Sequence, residues 1–167
     1  MMFTFTLETR GEFLSRLRQG EDFEAWAIRF GVTVSDPSGW WESTRLDPDL
    51  RRIWPDWRNK VNHAEKRRRL AEQLIEDGDI EGAAEEYLMS ASHLARAVLQ
   101  KAGVFPLSRP EMPGQLNVLG HTSLSKALMV LAARPTEAAK LREVVPVVDK
   151  YLLELQHDQL ACAAARQ

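Results

Sequence analysis

Cysteine is nearly missing from this chain. Cys162 is the single thiol among 167 residues, which excludes a disulfide framework. It lies in the Ala-rich stretch Ala161 to Gln167, whose composition suggests a flexible tail. Long apolar runs are missing too: none approaches the ~20 residues that a membrane-spanning helix needs. The opening residues Met1-Met2-Phe3-Thr4-Phe5 show no basic region followed by an apolar one. A protein of the reducing cytoplasm, neither secreted nor inserted in a membrane, is the expectation. A dominant charge is also lacking, because the formal net charge of −2 is too near zero for bulk electrostatics to recruit nucleic acid. Histidine is sparse, and His93 and His121 have no second ligand at metal spacing; no metal and no cofactor is expected.

What is present is a chain that is 44% apolar and 28% charged. At this length roughly 70% of the unfolded surface can be buried, enough for one domain or for one domain with a short appendage. The strongest pattern runs from Asp79 to Gly103. There Ile80, Ala83, Ala84, Tyr87, Leu88, Ala91, Leu94, Ala95, Val98, Leu99 and Ala102 recur at intervals of three and four residues without Pro, which places them on one side of a helix. The many alanines keep that side thin, so neighbouring helices can approach closely.

Helical signals surround it. A helix is expected from about Trp57 to Glu76, with Trp57, Val61, Ala64, Ala71, Leu74 and Ile75 available for one face and Asp77-Gly78 as its end. The next is N-capped by Asp79 and stopped by Gly103. Pro106, Pro110 and Pro113 make 104–114 read as a loop. A third helix spans about Thr122 to Ala133. A fourth, about Thr136 to His157, carries Leu141, Val144, Val145, Val148, Leu152 and Leu155 past a kink at Pro146. Short connections between such helices predict a mainly α, up-and-down four-helix bundle over residues 57–158, followed by a flexible tail at 159–167.

The first third reads differently. Phe3-Thr4-Phe5-Thr6-Leu7 alternates with the period of a half-buried strand. Thr9 and Glu12 form a capping box for a short helix that ends at Gly20. A second short helix from Phe23 to Phe30 precedes an extended Val32-Thr33-Val34 and the turn Ser35-Asp36-Pro37-Ser38-Gly39. Residues 1–39 therefore suggest a small α/β appendage, and 40–56, with Pro48 and Pro55 and no steady period, suggest a linker.

Two sets of residues carry a family resemblance. Ala83-Ala84-Glu85-Glu86-Tyr87-Leu88, Leu94-Ala95-Arg96-Ala97-Val98-Leu99 and Gly103-Val104-Phe105-Pro106 resemble the HEPN family of helical bundles. Thr9-Arg10-Gly11-Glu12-Phe13-Leu14-Ser15-Arg16-Leu17-Arg18-Gln19-Gly20 and Phe30-Gly31-Val32-Thr33-Val34-Ser35-Asp36-Pro37 look like the C-terminal tail of a polymerase-β-like minimal nucleotidyltransferase. Such transferases hold metal and triphosphate with a Gly-Ser turn and an Asp-x-Asp on a strand. This chain has no Gly-Ser pair. Its nearest imitation, Gly39 followed by Asp47-Pro48-Asp49, fails because Pro48 cannot donate to a central strand ladder. The resemblance thus implies a transferase tail without its catalytic half.

HEPN ribonucleases resemble one another in an Arg-x(4–6)-His motif, whose Arg would hold the scissile phosphate and whose His would assist proton transfer. Arg58-Asn59-Lys60-Val61-Asn62-His63 has that spacing, although it precedes or opens the first bundle helix and the family places the motif near the last pair. Charge is also segregated. Nine basic residues face four acidic ones between Arg45 and Arg69, and seven acidic residues with no basic one follow from Glu72 to Glu86. Folded back as a hairpin, these helices can neutralise each other. Alternatively Arg51, Arg52, Lys66, Arg67, Arg68 and Arg69, interleaved with Trp54 and Trp57, form an RNA-contacting patch. Arg109 can reach a carboxylate such as Glu111 or a partner.

The leading expectation is a non-catalytic HEPN-like interaction module that forms a homodimer through its Ala-lined face and docks a nucleotidyltransferase domain or a toxin–antitoxin partner. A lone Phe3–Leu7 strand would favour such a partner. The rival is a metal-independent HEPN endoribonuclease using Arg58 and His63. A third possibility is an RNA-binding module without catalysis.

Overall fold

The computed structural model describes residues 8–164; it is mainly α-helical, with no strand among the described residues. The chain divides into two compact units, Met1–Asp56 and Trp57–Gln167. No helix among the described residues is long and apolar enough to cross a membrane.

In the first unit, α1 (Arg10–Arg18) starts at the expected capping box. The Glu12 N–H donates to Thr9 Oγ1 at 3.2 Å and the Thr9 N–H donates to the Glu12 carboxylate at 2.8 Å, which satisfies two N-terminal donors at once. Gly20 turns the chain into α2 (Asp22–Phe30). Its φ is +79° and a Cβ there would stand 2.8 Å from the Asp56 nitrogen, so both conformation and space require glycine. Phe13, Leu17, Ala25 and Ile28 make a small core, and the Phe13 ring meets Trp40 and Trp41 edge-on at 6.1 and 5.3 Å. Glu24 is fully buried beside Arg16, whose Nε lies 3.0 Å from its carboxylate. Burial raises the Glu24 pKa and the guanidinium opposes that rise.

Two sequence expectations are corrected in this unit. Val32 and Val34 form no strand: they are 88% and 97% exposed, and among the described residues there is no strand for them to pair with. The α/β reading thus loses its second strand, while Phe3–Leu7, its first, lies outside the described residues. The second correction concerns 40–56, which fold into α3 (Trp40–Leu46) and α4 (Pro48–Arg52). Pro48 occupies the first turn of α4, where an N–H would have had no helical partner, and Asp47 caps the helix by accepting from the Asp49 N–H at 2.8 Å. The proline starts a helix there. Arg29 anchors the segment to α2 by donating to the carbonyls of Arg51 and Ile53.

The second unit contains α5 (Trp57–Glu76), α6 (Ile80–Lys101), α7 (Met112–Val118), α8 (Thr122–Ala132) and α9 (Ala138–Ala164). α5 and α6 form an antiparallel hairpin about the turn at 77–79. Its register is fixed by Ser90 Oγ donating to the Ala64 carbonyl at 2.9 Å and by the Arg67–Glu86 ion pair at 3.1 Å. α6 is the central element, packed against α5, α7, α8 and α9. Ala83, Ala84, Tyr87, Leu88, Ala91, Leu94, Ala95, Val98 and Leu99 are buried as the periodicity predicts, but so are Ser90, Ser92 and Ala97 on other sides of the helix. Ser92 satisfies its hydroxyl internally on the Leu88 carbonyl at 2.6 Å. The alanine stripe is therefore a seam within one chain.

Two boundaries differ from expectation. α7 forms inside the proline-rich segment because Pro113 falls in its first turn. α9 continues through Pro146 to Ala164 and so includes part of the expected flexible tail.

Candidate functional site

The α5–α6 hairpin brings together two histidines that stand thirty residues apart, equally far from Gly78 at its turn. The imidazoles of His63 and His93 stack with centroids 5.3 Å apart and planes inclined by 25°. His63 is exposed and His93 partly buried. The buried Nδ1 of His93 has no hydrogen-bond partner among the described residues. Burial pushes the His93 pKa down to about 4, and the positive charges of His63, Lys60, Arg96 and Arg67 act in the same direction. Thus at neutral pH His93 is an uncharged imidazole set among cationic side chains. A neutral imidazole can accept a proton, and neighbouring cations can stabilise a developing oxyanion.

Arg58, the expected partner of His63, does not share this face. Five residues of α-helix place it about 140° around the axis from His63. His93 takes the neighbouring place, a pairing that simple motif spacing misses. The folded-back geometry of the hairpin could have suggested it, since residues equidistant from a tight turn face each other.

The basic residues are distributed over both units. Arg51 and Arg52 belong to the first, where Arg52 stands 3.4 Å from Asp49 on the exposed side of α4. In the second unit Arg67 pairs with Glu86, Arg68 with Glu72 at 2.8 Å and Asp149 at 2.5 Å, and Arg69 with Glu65. Three of the four residues in the Lys66–Arg69 run thus hold carboxylates. Only Arg67 links α5 to α6; Arg68 reaches α9 as well as its own helix. Each expected stacking ring already carries a cation of its own unit, with Arg29 over Trp54 at 5.5 Å and Lys101 over Trp57 at 5.6 Å.

The other candidates have local roles. His121 precedes α8 with its Nδ1 3.2 Å from the Tyr151 hydroxyl. Glu111 accepts from the N–H and hydroxyl of Ser108 at 3.2 and 2.5 Å; Arg109 does not reach it and donates to Met89 Sδ at 3.2 Å instead. Asp47 is engaged as the α4 cap and Asp49 faces Arg52, so these carboxylates do not form the strand-borne pair of a transferase. Among the described residues no group of His, Cys, Asp and Glu is placed to hold a metal ion. No family model, no curated protein and no solved structure matches this chain.

Proposed function

We propose that this chain is a non-catalytic interaction module: a HEPN-like four-helix bundle joined to a nucleotidyltransferase-like tail, dimeric, and docking a nucleotidyltransferase domain or an antitoxin-type partner. The α/β character of the tail rests on the alternating sequence Phe3 to Leu7. The observation that carries the reading is an aromatic stripe on α2. Phe23, Trp26 and Phe30 recur at helical spacing and stay 49%, 44% and 53% exposed, with the Trp26 and Phe30 rings 6.2 Å apart. Contiguous exposed aromatic surface is what protein interfaces use and isolated proteins avoid.

With the alanine seam buried inside one chain, the dimer contact moves to this stripe. Analytical ultracentrifugation at micromolar concentration is expected to show a dimer, and Trp26→Ser combined with Phe30→Ser a monomer of unchanged helicity. A wild-type protein that sediments as a monomer at all concentrations contradicts the dimer. Transfer of nucleotides by the purified protein with magnesium contradicts its non-catalytic character.

The stacked imidazoles favour a second reading, a metal-independent ribonuclease in which His63 and His93 manage protons and neighbouring cations hold the phosphate. Total RNA incubated with EDTA and either wild-type protein or His63→Ala is the test. Equal absence of cleavage by both removes this reading. Salt-sensitive RNA retention without cleavage would instead support an RNA-binding module without catalysis.

A further inference from the structure

Arg134 is the single non-glycine residue with positive φ among the described residues, at +50°; the other such positions, Gly20, Gly39, Gly78, Gly103 and Gly120, are all glycine. It follows the C-cap of α8, and its N–H donates to the Leu131 carbonyl at 3.0 Å. This is where left-handed backbone ends a helix, and an L side chain there is strained. Pro135 forbids another helical turn but does not demand an arginine before it. Strain kept where glycine would relieve it points to a use for the side chain.

That side chain borders a cleft of about 570 Å³ formed by the start of α6, the α6–α7 loop and the end of α8, a size typical of small-molecule sites. Ala84, Leu88 and Leu131 give it an apolar floor, while Arg109 and Arg134 supply cations and Glu81 and Glu85 anions. These opposite charges share one cleft, yet no ion pair within 4.0 Å joins them. Arg109 has only the thioether of Met89, a weak acceptor. Its loop is nevertheless held in place, because Gln115 accepts from the Leu107 N–H and donates to the Phe105 carbonyl, each at 2.9 Å. Asp79 also lines the cleft, but its carboxylate caps α6 through the Gly82 N–H at 2.9 Å.

We propose that this cleft binds a small phosphorylated amine, with its phosphate between Arg109 and Arg134 and its ammonium against Glu81 and Glu85. Two guanidinium forks match the charge and oxygen geometry of a phosphate monoester. With no ion pair joining them, the guanidinium and carboxylate groups that line the cleft are left to engage the two ends of a zwitterion. No bond is made or broken in this step.

Calorimetric titration of the full chain with inorganic phosphate, glycerol 1-phosphate and phosphoethanolamine, at matched ionic strength, tests it. Wild-type protein is expected to bind inorganic phosphate with Kd on the order of 1 mM and phosphoethanolamine about tenfold tighter than glycerol phosphate. Arg134→Gly and Arg109→Ala are each expected to weaken phosphate binding about tenfold or more, with the glycine variant melting no lower than wild type. Glu81→Gln combined with Glu85→Gln should abolish the preference for the amine. Absence of phosphate binding to the wild type, or equal affinity in the folded Arg134→Gly variant, overturns the site. Loss of the amine preference in the wild type overturns the role of the two glutamates.

Discussion

At the scale of single residues, His93 makes stability depend on pH. Its ordinary value of 6.5 falls to about 4 in the folded protein because the ring is partly buried and His63, Lys60, Arg96 and Arg67 oppose its charge. The unfolded chain therefore binds the proton more readily than the folded one. Above pH 6.5 both states hold a neutral ring and there is no effect. As pH falls from 6.5 towards 4 the unfolded state gains the proton first, so stability is lost with acid. The full displacement corresponds to roughly 3 kcal/mol, and partial exposure of the ring reduces this to about 2 kcal/mol. Urea unfolding at pH 7.5 and pH 4.5 should show that difference between wild type and His93→Leu, whose profile should be flatter by that amount. Identical profiles for the two proteins would mean that water already solvates the His93 ring.

At the scale of elements, α9 carries an internal defect. Pro146 lies in the helix interior and is exposed, so it removes one backbone hydrogen bond and adds no burial. Pro146→Ala is expected to raise stability by about 1 to 3 kcal/mol, measured as a higher urea midpoint at unchanged m-value; no gain would mean that the bundle is adapted to a bend at this point. The helices on long periodic stretches are legible in the amino-acid sequence itself. α5 and α6 begin and end within a residue of the positions that Asp77-Gly78, the Asp79 cap and Gly103 indicate, because apolar period and terminal chemistry agree there. α4 and α7 were not legible. Pro48 and Pro113 have the same composition signal as helix breakers, and only their place in a first turn turns them into starters. The candidate site divides in the same way. His63 stands out by its spacing from Arg58, whereas its actual neighbour His93 and the strained Arg134 depend on how separate helices meet and end, which no local window contains.

At the scale of the whole molecule, the two units differ in their capacity to fold alone. Residues 57–167 contain a core drawn from five helices, with α6 screened by four neighbours and Leu94, Leu99, Met112, Leu116, Leu124 and Leu131 at most 1% exposed. Such a core can offset the chain entropy of its own residues. Among its described residues the first unit buries the apolar side chains Phe13, Leu17, Ala25 and Ile28, while Phe23, Trp26 and Phe30 remain about half exposed. A chain of fewer than roughly 60 residues is marginal even with a better core. Expressed separately, 57–167 should keep its helical circular dichroism and unfold in one cooperative transition, with the amide protons of α6 exchanging last. The 1–56 fragment should show a broad, non-cooperative melt. A cooperative 1–56 fragment would mean that the tryptophan cluster around Phe13 contributes more than its buried area indicates. A molten 57–167 would mean that the bundle needs the first unit to complete its core, and an interaction module built on an autonomous bundle would then be the wrong description of this chain.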